Sequence, residues 1–179
     1  MCWSAEVSII SFVIGMTASL YLIWRNKEGD RVFGIFFGWT ALMQLIEYLF
    51  WVDQNCGKLN IYASRIGAYL NLTQALLAGF VSLVYVYGNG RDSPVPKNFL
   101  IGLMIGYTSL LVYWTIDKKF FKNNICVKPC GGDCNDHNLQ WPWTDKSVSG
   151  NYIWVGYFIL FFVSVFSLFY WKYGKILLV

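Results

Sequence analysis

The run of residues 32–52, VFGIFFGWTALMQLIEYLFWV, constrains this chain more than any other stretch. As a helix its 21 residues extend about 30 Å, the thickness of a bilayer's hydrocarbon core. Yet it holds Gln44 and Glu47. A carboxylate within a membrane span costs about 2.5–3.5 kcal/mol on insertion scales, so such a group faces a partner or a wet cavity rather than lipid. Thr40, Gln44, Glu47 and Trp51 recur at helical spacing and give the run one polar face. Gly34 and Gly38 form a G-x3-G pair, which lets another helix approach closely.

Four more apolar runs, at about 7–24, 63–87, 98–116 and 152–171, have comparable length. Only 13% of the chain is charged, against about 25% in soluble domains, and 56% is hydrophobic. The runs are continuous rather than alternating, which argues against a β-barrel. The expected fold is all-α: a polytopic integral membrane helix bundle of about five transmembrane helices, forming a single domain over residues 1–179. The lead Met1–Glu6 has no Lys or Arg and therefore lacks the basic region of a signal peptide.

Five spans place the termini on opposite sides. With the N-terminus outside, the inner segments carry Arg25, Lys27, Arg31, Arg91, Lys97, Lys172 and Lys175, and the outer short loop carries Lys58. This expected orientation puts Cys2, Cys56, Cys126, Cys130 and Cys134 on the outer side, where disulfides persist. Cys56 and the three cysteines of the long loop 117–151 supply up to two bridges of open connectivity, with Cys2 as the odd thiol. Zinc is the competing reading of Cys126, Cys130, Cys134 and His137, but their spacing is looser than the paired C-x2-C knuckles of structural zinc sites. His137, the single histidine, is the natural candidate if a pH switch exists.

The third run is polar for a span, with Arg65, Asn71 and Gln74. Glu47 and Arg65 fall at similar depth on helices joined by a short loop, Gln44, Asn71 and Gln74 fall deeper, and Glu6 sits at the outer rim. Two readings follow. Either Glu47 and Arg65 satisfy each other, with the amides as interhelical glue, or Glu47 is the ionisable centre of a proton or cation path lined by Gln44, Asn71 and Gln74. Asn71-Leu72-Thr73 matches a glycosylation sequon but lies inside a span. No Ser/His/Asp set or phosphate-binding glycine loop occurs, and every Lys lies in a loop or tail, which removes a buried Schiff-base site. The reading is therefore not an enzyme, with no cofactor, no metal and no nucleic acid.

The opening Met-Cys-Trp-Ser-Ala, the Gln44-x2-Glu47-x3-Trp51 face and the segment from His137 to Trp143 resemble a family of small, uncharacterised multi-span membrane proteins with viral and bacterial members. Some relatives carry a His where Met43 stands here, so a role for that His does not transfer. The resemblance implies a multi-pass protein of a cell, host or virion membrane and leaves its activity open. In the expected topology the three patches share the outer side, and Cys2, Trp3, Ser4, His137 and Trp141 form an outer mouth near Glu47. The functional expectation is a small channel or transporter for protons or small cations. The alternative is a structural or lipid-binding envelope protein. Expected partners are membrane lipids and a second copy, through the Gly34/Gly38 or Gly102/Gly106 face.

Overall fold

Ser4 opens the first helix by accepting a hydrogen bond from Val7 N on its side chain (3.2 Å), and Asn26 closes it in the left-handed conformation at φ 52°. The computed structural model describes residues 4–91, 93–117, 125–129, 139–140 and 148–177. Its helices are α1 (Ala5–Arg25), α2 (Asp30–Val52), α3 (Lys58–Leu72), α4 (Gln74–Ser82), a π-helical turn (Leu83–Tyr87), α5 (Lys97–Asp117) and α6 (Val148–Leu177). Among the described residues, five stretches are helical, long and apolar enough to cross a membrane: Ala5–Arg25, Asp30–Val52, Lys58–Tyr87, Lys97–Asp117 and Asn151–Tyr170. The extended segments β1 (Lys128–Pro129) and β2 (Leu139–Gln140) pair antiparallel over two residues each.

The chain divides into two compact units, 1–71 with 119–145, and 72–118 with 146–179. The first unit is built on an α1–α2 hairpin. Arg25 donates two hydrogen bonds to the Asp30 carboxylate, both 2.7 Å, and Lys27 N adds a third at 2.9 Å. This carboxylate and Gly29 at φ 85° reverse the chain within four residues. The seam beyond the turn is lined by small residues. A Cβ at Gly34 would lie 2.9 Å from the Ser19 carbonyl, and one at Gly38 would lie 2.6 Å from Ser19 Oγ. The Ser19 hydroxyl uses that proximity to donate to the Gly34 carbonyl at 2.6 Å. The Gly34/Gly38 pair is thus filled within the chain, by α1.

Asp53 joins α2 to α3. Its backbone N–H caps α2 on the Leu49 carbonyl, while its carboxylate accepts from Gly57 N and Asn60 N, both at 3.0 Å, at the start of α3. A carboxylate there meets the positive end of the α3 dipole. Further along, Trp39 Nε1 donates to the Leu70 carbonyl at 3.0 Å. Trp39 precedes the connection by about as many residues as Leu70 follows it, so α2 and α3 run antiparallel.

In the second unit α4 packs on α6 through small residues, with Ala75, Ala78, Ser82, Leu160, Ser164 and Ser167 all buried. The π-helical turn widens the end of this run, with Gly88 N bonding back to Leu83 O and Arg91 N to Val86 O, both 2.9 Å. The Tyr87 hydroxyl donates to the Val95 carbonyl, and Ser93 Oγ lies 2.9 Å from Ser167 Oγ, so the loop before α5 is tied to α6. On α5, Leu100, Tyr107, Leu111 and Trp114 face inward.

Candidate functional site

In the first unit, α2 stacks Gln44, Glu47 and Trp51 at one-turn intervals. Glu47 is 6% exposed, and Gln44 and Trp51 are half-buried. A side chain buried to that degree holds an acid within the protein rather than at a rim. Arg65 on α3 is half-buried. The antiparallel register set by Trp39 and Leu70 brings Arg65 level with Gln44, three residues from Glu47, or about 4.5 Å along the axis. Glu47 and Arg65 both have interaction partners, although the individual atoms Glu47 Oε2, Arg65 Nε and Trp51 Nε1 are buried and make no hydrogen bond. Asn71, the penultimate residue of α3, is half-buried in the same unit. Glu6 is exposed in the first turn of α1, and Ser4 serves as that helix's N-cap. Cys2, Trp3, Cys130, Cys134, His137 and Trp141 lie outside the described residues.

Gln74 belongs to the second unit. It opens α4, and its Oε1 accepts from the Tyr157 hydroxyl of α6 at 3.0 Å. On the sequence, Asn71 and Gln74, three residues apart, both line one path, as an unbroken helix would allow. The helix is not unbroken. At Thr73 (φ −82°, ψ −4°) the run Lys58–Tyr87 is interrupted at its midpoint. The carbonyls beside the interruption receive ring donors: Leu70 from Trp39 Nε1 in the first unit, and Leu72 from the Tyr107 hydroxyl (2.8 Å) in the second.

The other polar centre escaped the sequence reading. Asn60 is fully buried and uses its whole amide. Its Nδ2 donates to the Val127 and Asp53 carbonyls, each at 2.7 Å, and its Oδ1 accepts from Val127 N at 2.9 Å and Ser64 Oγ at 3.0 Å. Paired through both its N–H and its C=O, Val127 is held as a neighbouring strand would hold it. Next to it, Cys126 lies at disulfide-bonding distance from Cys56, with Cα atoms 5.5 Å apart. Cys56 is left-handed at φ 57°, in the loop that Asp53 organises. Asn60 therefore anchors the segment at Val127 and both sides of the cysteine pair. The available signal was weak: an Asp, a Gly and an Asn spaced as a helix-capping loop, with nothing local to name Val127. Of the four candidate cysteines, whose connectivity the sequence left open, Cys56 and Cys126 come to disulfide distance.

No protein-family model, curated protein or solved structure matches the chain.

Proposed function

We propose that this chain is a multi-pass membrane protein, N-terminus outside, that conducts or transports protons or small cations, with Glu47 as its ionisable centre. The observation that carries the reading is the burial of Glu47, 6% exposed, on a helix long and apolar enough to span a bilayer. An acid within a membrane span costs about 2.5–3.5 kcal/mol, which makes a functional role its default reading. Gln44 and Arg65 of the same unit supply polar groups about one turn from Glu47, whereas Asn71 lies about 13 Å from it along the axis by the same register, and Glu6 is an exposed acid on α1.

The second reading, a structural or lipid-binding envelope protein, draws on Gln74: its side-chain oxygen accepts from Tyr157, which makes it packing rather than path. Ion flux into liposomes containing the purified protein separates the two. Proton or monovalent-cation flux that Glu47→Gln abolishes while the protein stays folded supports conduction. Absence of flux from the unmodified protein, or equal flux from the variant, rejects it in favour of the second reading.

A further inference from the structure

We propose that Cys56 and Cys126 form a reversible redox latch, in which Asn60 keeps the two cysteines together while the bridge between them is open. The proposal goes beyond conduction through Glu47 and uses no step of it. It starts from a division of labour within the first unit. Sulfur joins Cys56 to Cys126, but the hydrogen bonds that bring their two segments together involve no sulfur. Asn60 Nδ2 donates to the Val127 and Asp53 carbonyls, each at 2.7 Å, and Val127 N donates to Asn60 Oδ1 at 2.9 Å. One amide thus grips the residue after Cys126 and the residue three before Cys56. Ser64 Oγ, one turn along α3, donates to the same Oδ1 at 3.0 Å and fixes which way the amide faces. The Cys56 side has a second hold. The Asp53 carboxylate accepts from Gly57 N and Asn60 N, both at 3.0 Å, and closes the turn in which Cys56 stands at φ 57°. Asn60 and Val127 are fully buried, so water does not compete for the bonds between them. Cys56 and Cys126 are only half-buried, which leaves them open to a small reagent.

The amide has a measurable preference to overcome. Cys56 and Cys126 are 70 residues apart, whereas Cys130 follows Cys126 by four. Closure of a chain with no docking favours the shorter loop, by a factor on the order of tens. A pair that stays docked when reduced holds its two sulfurs at high effective concentration and re-forms with itself. The chemistry is two successive exchanges with a small disulfide such as glutathione disulfide. The thiolate of one cysteine attacks a sulfur of that disulfide, and one glutathione thiolate leaves. The thiolate of the other cysteine then attacks the protein sulfur of the mixed disulfide, and the second glutathione thiolate leaves. Two electrons pass from the cysteine pair to the small disulfide, and the two thiol protons end on the departing thiolates. Excess glutathione thiol runs the same steps backwards and opens the latch.

The test uses the full chain in detergent micelles. In the oxidised protein the Val127 amide should exchange slowly with deuterium, because it is buried and bonded to Asn60. Reduction, or the double substitution Cys56→Ser with Cys126→Ser, should speed that exchange by less than about tenfold. A larger acceleration means that the bridge itself does the holding, and it overturns the proposal. The second measurement follows the bridge. The protein is reduced, freed of reductant, reoxidised with glutathione disulfide, alkylated and mapped. Cys56–Cys126 should exceed all bridges from either residue to Cys2, Cys130 or Cys134 by at least about fivefold. A smaller excess overturns the proposal, as does an Asn60→Ala chain that re-forms Cys56–Cys126 as selectively as the unmodified protein. If Asn60→Ala does not fold, the exchange measurement on the Cys→Ser pair, which leaves Asn60 in place, decides.

Discussion

Gly34-x3-Gly38 and Gly102-x3-Gly106 are the same motif with opposite surroundings. On α2 the space above each glycine is taken by α1, with Ser19 and Ile23 where a Cβ would stand. On α5 nothing lies within 4 Å of the same construction at either glycine, and Ile105 between them is 63% exposed. The motif permits close approach, but it does not supply the partner. What closes the first pair is a hairpin turn that delivers α1 in register, with a serine small enough to fit and able to bond the Gly34 carbonyl. The second pair has no such neighbour within the chain and faces outward. Homo-oligomerisation through Gly102 and Gly106 remains a proposal for that open face.

The contrast can be broken by substitution. Gly34→Leu should have the largest effect, because the Ser19 carbonyl it meets is backbone and cannot move aside. We expect a loss of about 3 kcal/mol by thermal or denaturant unfolding in detergent micelles. Asn60→Ala should follow at about 2–3 kcal/mol, since it empties a closed polar site and leaves buried groups of Val127 and Asp53 unbonded. The same variant should also yield disulfides joining Cys56 to other cysteines in peptide maps, because Cys126 loses its seat. An Asn60→Ala protein with unchanged stability and a single Cys56–Cys126 bridge would show that Asn60 is not the anchor. Tyr107→Phe, on the inward face of α5, removes the donor to the Leu72 carbonyl and should cost about 1 kcal/mol. Gly102→Leu, on the outward face of the same helix, should change stability by no more than about 0.5 kcal/mol, and any change should favour the variant, since Leu is the better helix former. A loss at Gly102 as large as that at Gly34 would mean that another chain covers the α5 face.

Much of the helical plan could be read from residue types. The apolar runs are long, and each of the five membrane-length helices contains one of them. The polar face on α2 could also be read, because Gln44, Glu47 and Trp51 repeat at helical spacing. Other features could not. Gln74 and Asn71 look like neighbours on one helix, but they belong to different units, and the helix is interrupted between them at Thr73. Thr73 carries no breaker signal of its own. The interruption is compatible with the fold because Trp39 and Tyr107, distant in sequence, bring donors to the carbonyls beside it. Likewise Asn60 reads as an ordinary residue of a polar turn until Val127, 67 positions away, is placed against it.

The sequence by itself determined the five apolar stretches of membrane-spanning length and the cost attached to an acid, Glu47, within one of them. Those properties depend on local composition and on the rise of a helix, which every residue carries with it. Tertiary structure alone decided which glycine pair is filled, which cysteine faces Cys56 and which donors serve the interrupted helix. Each of these is a distance between residues far apart in the chain, and short-range forces such as hydrogen bonds and close packing act only once the fold has set that distance.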